Sequence, residues 1–251
     1  MNIAIITGAS AGLGQAFFRS ILQRFPGLEQ IWLIARRADR LEALGKDSPI
    51  PVVCLPLDLT DTDSYRDLAD KLEQETPSVQ ILVNNAGVGE LNNVADSRWD
   101  KQIRMVDLNC RGLTAVTTAV LPYMSAGGIV INVASIAAFA PNTRMTVYSS
   151  TKAYVYHFSR GLREELKPRK INSLAVCPGP MRTEFLDVAN IAGHSAAFEK
   201  LPYCDPEQVA DEAVARAIAG KAVYTPLGYF RLYRLVAKLL PKSIVMKLAK
   251  T

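Results

Sequence analysis

Tyr148 and Lys152, four residues apart, are the pair of side chains in this sequence best suited to moving a proton. On a helix, residues at this spacing lie on one face. The Lys152 ammonium, together with a positively charged ring such as an oxidised nicotinamide beside it, would favour the phenolate, so we expect the Tyr148 pKa to fall from its reference value near 10 toward working pH. One phenol could then both donate and accept a proton. Ordinary amphipathic helices also carry such pairs, so the spacing alone leaves both interpretations open.

Ser135 and Asn109 are two further polar candidates. Ser135 follows the apolar run Ile129–Val133, so its hydroxyl is predicted to lie at the end of a strand. A hydroxyl there can hold an oxygen that gains negative charge, as when hydride is transferred to a carbonyl; alternatively, Ser135 only caps the next element. Asn109 interrupts a predicted helix, where asparagine is unfavourable, and its alternative role is a local kink.

A glycine-rich turn follows the first predicted strand, Asn2–Thr7, and precedes an amphipathic helix. Glycines at such a turn let the backbone approach a pyrophosphate, whose charge is favoured by the free N–H groups and dipole of the helix start. An ordinary tight turn is the alternative, but the position directly after the first strand favours phosphate. The predicted contacts in this turn are Gly8, Ser10, Gly12, Leu13 and Gly14.

Two arginines end the second predicted strand, about 20 residues beyond the glycine turn, where an NAD enzyme would carry an acidic residue. The guanidinium groups of Arg36 and Arg37 can pair with a 2′-phosphate. We therefore expect NADP(H) to be preferred, with NAD(H) as the other cofactor. Arg40 leaves open that these cations merely begin a solvated helix.

Short apolar runs alternate with segments long enough for helices, which predicts a parallel sheet covered on both faces. The expected fold is α/β, a doubly wound (Rossmann) and mostly seven-stranded parallel sheet. Its ligands should bind at the carboxyl ends of the strands. The predicted strands are Asn2–Thr7, Gln30–Ala35, Val52–Leu57, Gln80–Asn84, Gly128–Ala134, Ile171–Cys177 and Ala222–Thr225.

From Ile3 to about Thr225, these motifs and their order resemble the short-chain dehydrogenase/reductase family in its compact single-domain form. The match includes the turn TGASAGLG and the sequence Asn84-Asn85-Ala86-Gly87. The resemblance implies catalytic roles for Tyr148, Lys152, Ser135 and Asn109, with Lys152 also holding the nicotinamide ribose and Asn109 a relay water. It implies further cofactor contacts at Asp58, Asn85, Ala86, Gly87, Pro178, Gly179 and Thr183.

One departure from the family pattern concerns the cofactor. Many NADP-preferring relatives carry a basic residue before the second glycine of the turn, whereas this chain has Ala11. Recognition of a 2′-phosphate would then depend on Arg36 and Arg37.

Composition favours one globular domain without a metal site. The chain has 251 residues, 49% of them hydrophobic and 21% charged, and four well-separated cysteines with no histidine at ligand spacing. The first residues read as a strand rather than a secretory signal, so a cytoplasmic location is expected. Residues 112–143 are uncharged but are interrupted by proline and glycine, which favours a buried helix, a turn and a buried strand over a membrane span.

The positive charge is concentrated in the tail, residues 226–251, which has six basic residues and no acidic one. Removing these six from the net charge of +5 leaves −1, so no nucleic-acid partner is expected. Basic and apolar residues alternate at helical spacing over Gly228–Leu240. This segment is either an interfacial helix on an anionic membrane, giving weak peripheral contact, or a subunit-contact helix. The family resemblance implies a homodimer or homotetramer.

We therefore divide the chain into a catalytic domain at 1–225, with a substrate lid at about 181–204, and the tail. Apolar residues dominate the lid, which suggests a hydrophobic carbonyl or alcohol as the small-molecule substrate. The expected function is NADP(H)-dependent interconversion of the two. The alternative is a dinucleotide-binding sensor or scaffold without turnover.

Overall fold

A computed structural model describes residues 1–191 and 193–248, so Ala192 of the predicted lid and Lys250 of the predicted tail lie outside the described residues. Within the described part, seven parallel strands form one sheet. The strands are β1 (Asn2–Thr7), β2 (Gln30–Ile34), β3 (Val52–Leu55), β4 (Ser78–Asn84), β5 (Met124–Val133), β6 (Asn172–Val176) and β7 (Val223–Tyr224).

The strand order is β3-β2-β1-β4-β5-β6-β7, so the direction of winding reverses between β1 and β4. In the middle of the sheet, Ile5 pairs with Trp32 on one side and with Leu82 on the other. This topology confirms the predicted doubly wound fold. It also places the expected ligand crevice at the carboxyl ends of β1 and β4.

Helices cover both faces of the sheet, because the central strands are apolar on both sides. Along β1, Ala4 and Ile6 belong to one buried cluster, while Ile3 and Ile5 belong to the other. The described helices are α1 (Leu13–Arg24), α2 (Ala38–Gly45), α3 (Thr62–Glu75), α4 (Trp99–Val106), α5 (Leu113–Val120), α6 (Thr146–Leu166), α7 (Phe185–Val188), α8 (Ala196–Glu199), α9 (Pro206–Ile218), α10 (Gly228–Leu239) and α11 (Lys242–Leu248).

The uncharged stretch 112–143 forms helix α5, a short turn and strand β5, as predicted. Strand β5 begins four residues before its predicted start, because Met124 pairs with Val79 ahead of an irregularity in the ladder. No helix among the described residues is long and apolar enough to cross a membrane.

Helix α10 packs into the core of the sheet. Phe230 is fully buried, and a Cβ on Gly179 would lie 2.1 Å from its ring, so this close contact requires glycine. Ala237 and, on α11, Val245 are also buried. The helix therefore supports the loop that follows β6, and the boundary placed at residue 225 stays a prediction.

Candidate active site

A cleft of about 620 Å³ runs along the carboxyl ends of the strands. It is lined by every residue that the sequence analysis proposed for the site except Gly14 and Asn109. Both of these pack directly behind residues that do line it, Gly14 behind Gly8 and Asn109 behind Gly87. The topology thus brings the predicted residues to one place.

The predicted phosphate turn joins β1 to helix α1, which begins at Leu13. Gly8 has a φ of +66°, which few side chains tolerate. At Gly14 the constraint is steric, because a Cβ would lie only 2.2 Å from the Gly8 carbonyl oxygen. The turn is therefore wound tightly enough for its backbone to face the cleft.

Thr7 ties this turn to the end of β4. Its Oγ1 accepts hydrogen bonds from the backbone N–H groups of Asn85 (3.0 Å) and Ala86 (3.1 Å). The Asn85 amide returns bonds to the carbonyl oxygens of Thr7 and Gly8, both at 3.1 Å. The sequence analysis gave Thr7 no role of its own, since its hydroxyl contacts a strand 78 residues away.

Asp58 lies at the end of the cleft beside β2. Its Oδ1 accepts hydrogen bonds from the backbone (3.0 Å) and the hydroxyl (2.8 Å) of Thr60. Burial alone would raise the Asp58 pKa, but these bonds and the charges of Arg104 and Arg36 lower it below its ordinary value. Asp58 is therefore held as a carboxylate.

Arg37 connects the phosphate turn to the predicted lid. Its Nη2 donates to Ser10 Oγ (3.0 Å), and its Nη1 forms an ion pair with Glu184 at 2.9 Å. Arg40 pairs with the same carboxylate. Arg36 is exposed and contributes its charge near Asp58. Glu184 could not be identified from the sequence, because nothing around it signals partners at the start of helix α2.

Tyr148 and Lys152 lie on helix α6, and both are buried beside the cleft. Lys152 Nζ donates to the carbonyl oxygen of Val133 at 2.9 Å and lies 5.8 Å from the centre of the Tyr148 ring. The two side chains are therefore close together, as their spacing predicted, and the ammonium is anchored at the end of β5.

The lowered Tyr148 pKa is not found in the chain by itself. Burial raises the pKa of this phenol to about 12, and a hydrogen bond with Ser135 offsets only part of that rise. Burial also lowers the Lys152 pKa to about 8. Loss of water disfavours the charged form of both groups, and this outweighs the attraction that we expected between them.

Ser135 lies at the end of β5, as predicted, and its hydroxyl caps the element that follows. Its Oγ accepts a hydrogen bond from Ala137 N (3.1 Å), which caps the short 3-10 helix Ile136–Ala138. The same hydroxyl lies close enough to Tyr148 to lower the pKa of the phenol. Capping holds the Ser135 side chain at the end of β5, where the hydroxyl of Tyr148 meets it.

Asn109 lies in a π-helical segment, Asp107–Gly112, that interrupts the helix between α4 and α5. Its side chain accepts from Val88 N (2.9 Å) and donates to Val88 O (2.8 Å) and Thr151 Oγ1 (3.0 Å). The predicted kink is therefore present. The buried amide ties it to helix α6 one residue before Lys152.

The loop after β6 and the first part of the lid close the other side of the cleft. Pro178, Gly179 and Thr183 line it as expected. Phe185 packs against Tyr148, with 5.7 Å between the ring centres. The sequence placed Phe185 in an apolar lid, but no local pattern predicted that this residue packs against Tyr148.

Comparison with known proteins identifies the family. A family model for short chain dehydrogenases matches residues 2–192. This chain belongs to that family. Serine 3-dehydrogenase from Agrobacterium fabrum is 35% identical over 205 residues, 78% of each protein. The NADP-dependent 3-hydroxy acid dehydrogenase of Schizosaccharomyces pombe is 31% identical over 221 residues, 85% of this chain and 84% of that protein.

The fold agrees with this assignment. A short-chain dehydrogenase from Sphingobium yanoikuyae in complex with NADPH superimposes with a TM-score of 0.81 at 29% identity, over 95% of this chain and 93% of that one. The protein is therefore an oxidoreductase of the short-chain dehydrogenase family, acting on CH–OH groups with NAD(P) as acceptor.

The phosphate turn of this short-chain dehydrogenase can be tested by adding one methyl group. Gly14→Ala places a Cβ against the Gly8 carbonyl, and we expect it to lower the free energy of unfolding by about 1–3 kcal/mol. The control is Gly161→Ala in helix α6, where a Cβ meets nothing within 4 Å and should stabilise by about 1 kcal/mol. Urea unfolding followed by tryptophan fluorescence measures both. Equal effects of the two variants would contradict the tight turn.

Proposed function

We propose that this short-chain dehydrogenase is an NADP(H)-dependent enzyme that interconverts a hydrophobic carbonyl compound and its alcohol, with Tyr148 as acid and base. One observation carries the proposal: Tyr148, Ser135 and the buried Lys152 all line the cleft that begins at the phosphate turn. Hydride transfer to a carbonyl requires a proton donor and a second hydrogen bond at the oxygen. Tyr148 and Ser135 supply them.

The proton steps follow from the pKa values. The nicotinamide, when bound, supplies or accepts the hydride. With a pKa of about 12, Tyr148 is protonated at neutral pH, so in reduction it donates to the substrate oxygen. In the reverse direction the phenol must lose its proton, and the Lys152 ammonium stabilises the resulting phenolate.

Asn109 acts by holding other groups in place. Its side-chain amide is engaged by Val88 and Thr151, so a relay water would have to bind its main-chain carbonyl.

The residues present fit a dinucleotide. Gly8, Gly12 and Gly14 leave a cradle that a Cβ would fill, and the start of helix α1 favours phosphate. Asp58 would receive the adenosine end, with Asn85, Ala86 and Gly87 along the middle of the cleft. Lys152, Pro178, Gly179 and Thr183 would surround the nicotinamide ribose. Ser10 and Leu13 complete the phosphate turn.

Preference for NADP(H) is supported by Arg36 and Arg37. Both residues line the cleft just after β2, so their guanidinium groups could pair with a ribose 2′-phosphate without a basic residue at position 11. The Schizosaccharomyces pombe relative is an NADP-dependent dehydrogenase, and the Sphingobium yanoikuyae enzyme was solved in complex with NADPH. NAD(H) remains the second cofactor in this proposal.

The substrate end of the cleft is apolar, which supports a hydrophobic carbonyl compound. Its side chains come from the lid, from the loop before α6 and from the two C-terminal helices. The apolar residues that line it are Met145, Phe185, Leu186, Val188, Ile191, Phe198, Leu201, Val236 and Val245.

A hydroxy acid is the second candidate substrate, because two relatives are named serine 3-dehydrogenase and 3-hydroxy acid dehydrogenase. Lys200 favours it, since this exposed lysine lines the cleft and could pair with a carboxylate. NADPH oxidation with long-chain ketones and NADP+ reduction with 3-hydroxy acids separate the two candidates. Lys200→Met should raise KM only for the acid.

Replacing Tyr148 by phenylalanine tests the proton donor. We expect Tyr148→Phe to reduce turnover of the best carbonyl roughly 10²–10⁴-fold, while NADPH binding changes little, because the ring remains. Fluorescence titration with NADPH and steady-state NADPH oxidation are the measurements. Tyr154→Phe on the exposed face of the same helix is the control. Turnover retained in Tyr148→Phe would exclude this mechanism.

The pH dependence of reduction should report Lys152. Tyr148, with a pKa of about 12, stays protonated throughout the working range. Lys152, with a pKa of about 8, loses its charge above that pH, and with it the stabilisation of the phenolate. We expect kcat/KM for carbonyl reduction to be level below pH 8 and to fall about tenfold per unit above it. A profile that stays level to pH 10 would refute a role for the ammonium.

The ion pairs of Glu184 predict opposite effects of two substitutions on cofactor preference. Arg37→Ala should weaken NADPH binding at least about tenfold, because it removes a charge-assisted bond to phosphate. Glu184→Gln should tighten it about two- to fivefold, because the exposed carboxylate competes for the same guanidinium. Kd values for NADPH and NADH give the ratio. Asp187→Asn, three residues further along the lid, should leave this ratio unchanged. A Glu184→Gln variant whose ratio is also unchanged would exclude competition for Arg37.

A further inference from the structure

Helix α10 carries an exposed apolar surface on the side opposite its buried one. Phe230 and Ala237 face the core. On the far side, Leu232, Leu235 and Leu239 are 61%, 53% and 71% exposed. At intervals of three and four residues they form one continuous row, which we call the leucine ridge. Single exposed leucines are ordinary, but a contiguous apolar row marks an interaction site.

Cations flank the leucine ridge. Arg231 and Lys238 are exposed on helix α10, and Arg234 is half-buried between them and the core. The sequence from 226 to 251 contains no acidic residue. An apolar row beside uncompensated positive charge is complementary to an anionic lipid surface, where acyl chains accept the leucines and headgroups the cations.

The ridge adjoins the mouth of the cleft. Tyr229 is exposed and also lines the cleft, and Val236 lines it two turns further along the helix. Leu232 lies three residues after Tyr229 and four before Val236, so it is their neighbour on the helix surface. Val188, from the lid, is likewise exposed and lines the cleft. Apolar residues from two segments therefore rim the opening through which a substrate enters.

We propose that the leucine ridge docks the enzyme on an anionic membrane and that its hydrophobic substrate enters the cleft from the lipid. The second half of this inference depends on the function proposed above, whereas the first does not. A second copy of the chain fits the ridge less well. A two-fold contact through this helix would bring Arg231, Arg234 and Lys238 against their own counterparts, and residues 226–251 offer no carboxylate to neutralise them.

Vesicle co-sedimentation of the full-length protein tests the docking. We expect binding to vesicles of phosphatidylcholine mixed with phosphatidylglycerol, weaker binding to phosphatidylcholine alone, and release as salt is raised. Leu235→Glu combined with Leu239→Glu should lower the partition coefficient at least about tenfold. Ile218→Glu is the matched control, because Ile218 is as exposed as Leu235, at 53%, but lies on helix α9.

Two double variants test the contribution of positive charge to vesicle binding. Arg231→Gln with Lys238→Gln should reduce binding to the anionic vesicles toward the phosphatidylcholine level. Lys46→Gln with Lys170→Gln removes the same charge from other exposed positions and should not. Binding that is absent in the wild type, or lost equally in both double variants, overturns the proposal. So does a ridge variant that dissociates a wild-type oligomer in sedimentation velocity while vesicles bind neither form.

Substrate delivery is tested separately from docking. With a long-chain ketone incorporated in anionic vesicles, Leu235→Glu/Leu239→Glu should lose most NADPH oxidation, while its turnover of a short, water-soluble ketone matches the wild type. Equal loss on both substrates would refute entry from the lipid. Vesicle binding without reduction of any ketone would leave the docking surface standing and refute the proposed function.

Discussion

Burial of the Lys152 ammonium beneath the carboxyl end of the sheet is the constraint on which this site depends. A buried cation requires a hydrogen-bond partner, and the carbonyl oxygen of Val133 provides it, which fixes helix α6 against strand β5. On the other side the space is closed by Gly87, where a Cβ would come within 3.2 Å of Nζ. Because Tyr148 lies one turn earlier on the same helix, the contact that anchors the lysine also positions the phenol.

The start of the lid connects the two ends of the cleft through adjacent residues. Glu184 pairs with Arg37 at the end beside β2, while Phe185 packs on Tyr148 at the other. Thr183 lies against Gly12 of the phosphate turn, where a Cβ would come within 2.9 Å of it. An anion that takes Arg37 from Glu184 therefore acts on the same short segment that packs against the phenol. The two ends of the cleft are thus physically linked through three consecutive residues, Thr183, Glu184 and Phe185.

The sequence predicted the parts of this arrangement that depend on local geometry. Buried parallel strands are short apolar runs, so their ends and the residues just after them, such as Ser135, were located closely. The four-residue spacing of Tyr148 and Lys152 was sufficient to predict that the two side chains lie close together, because helix geometry is local. Arg37 and Glu184 are 147 residues apart, and the local sequence around either residue does not predict their ion pair. The raised pKa of Tyr148 in the chain by itself could not be predicted in this way, because spacing identifies a charged neighbour but not the loss of water, which here dominates.

Helix α10 has two apolar sides, and folding of the described chain accounts for only one. The inward side is required, since Phe230 fills the space left by Gly179 and so supports a loop at the cleft. The outward side, Leu235 and Leu239 included, leaves apolar surface in water, which adds nothing to this core. One side of helix α10 lines the mouth of the cleft, and its outward leucines form the proposed membrane contact. The same helix therefore connects membrane docking with the opening of the cleft. Residues that only capped the domain would be expected to be polar on that side.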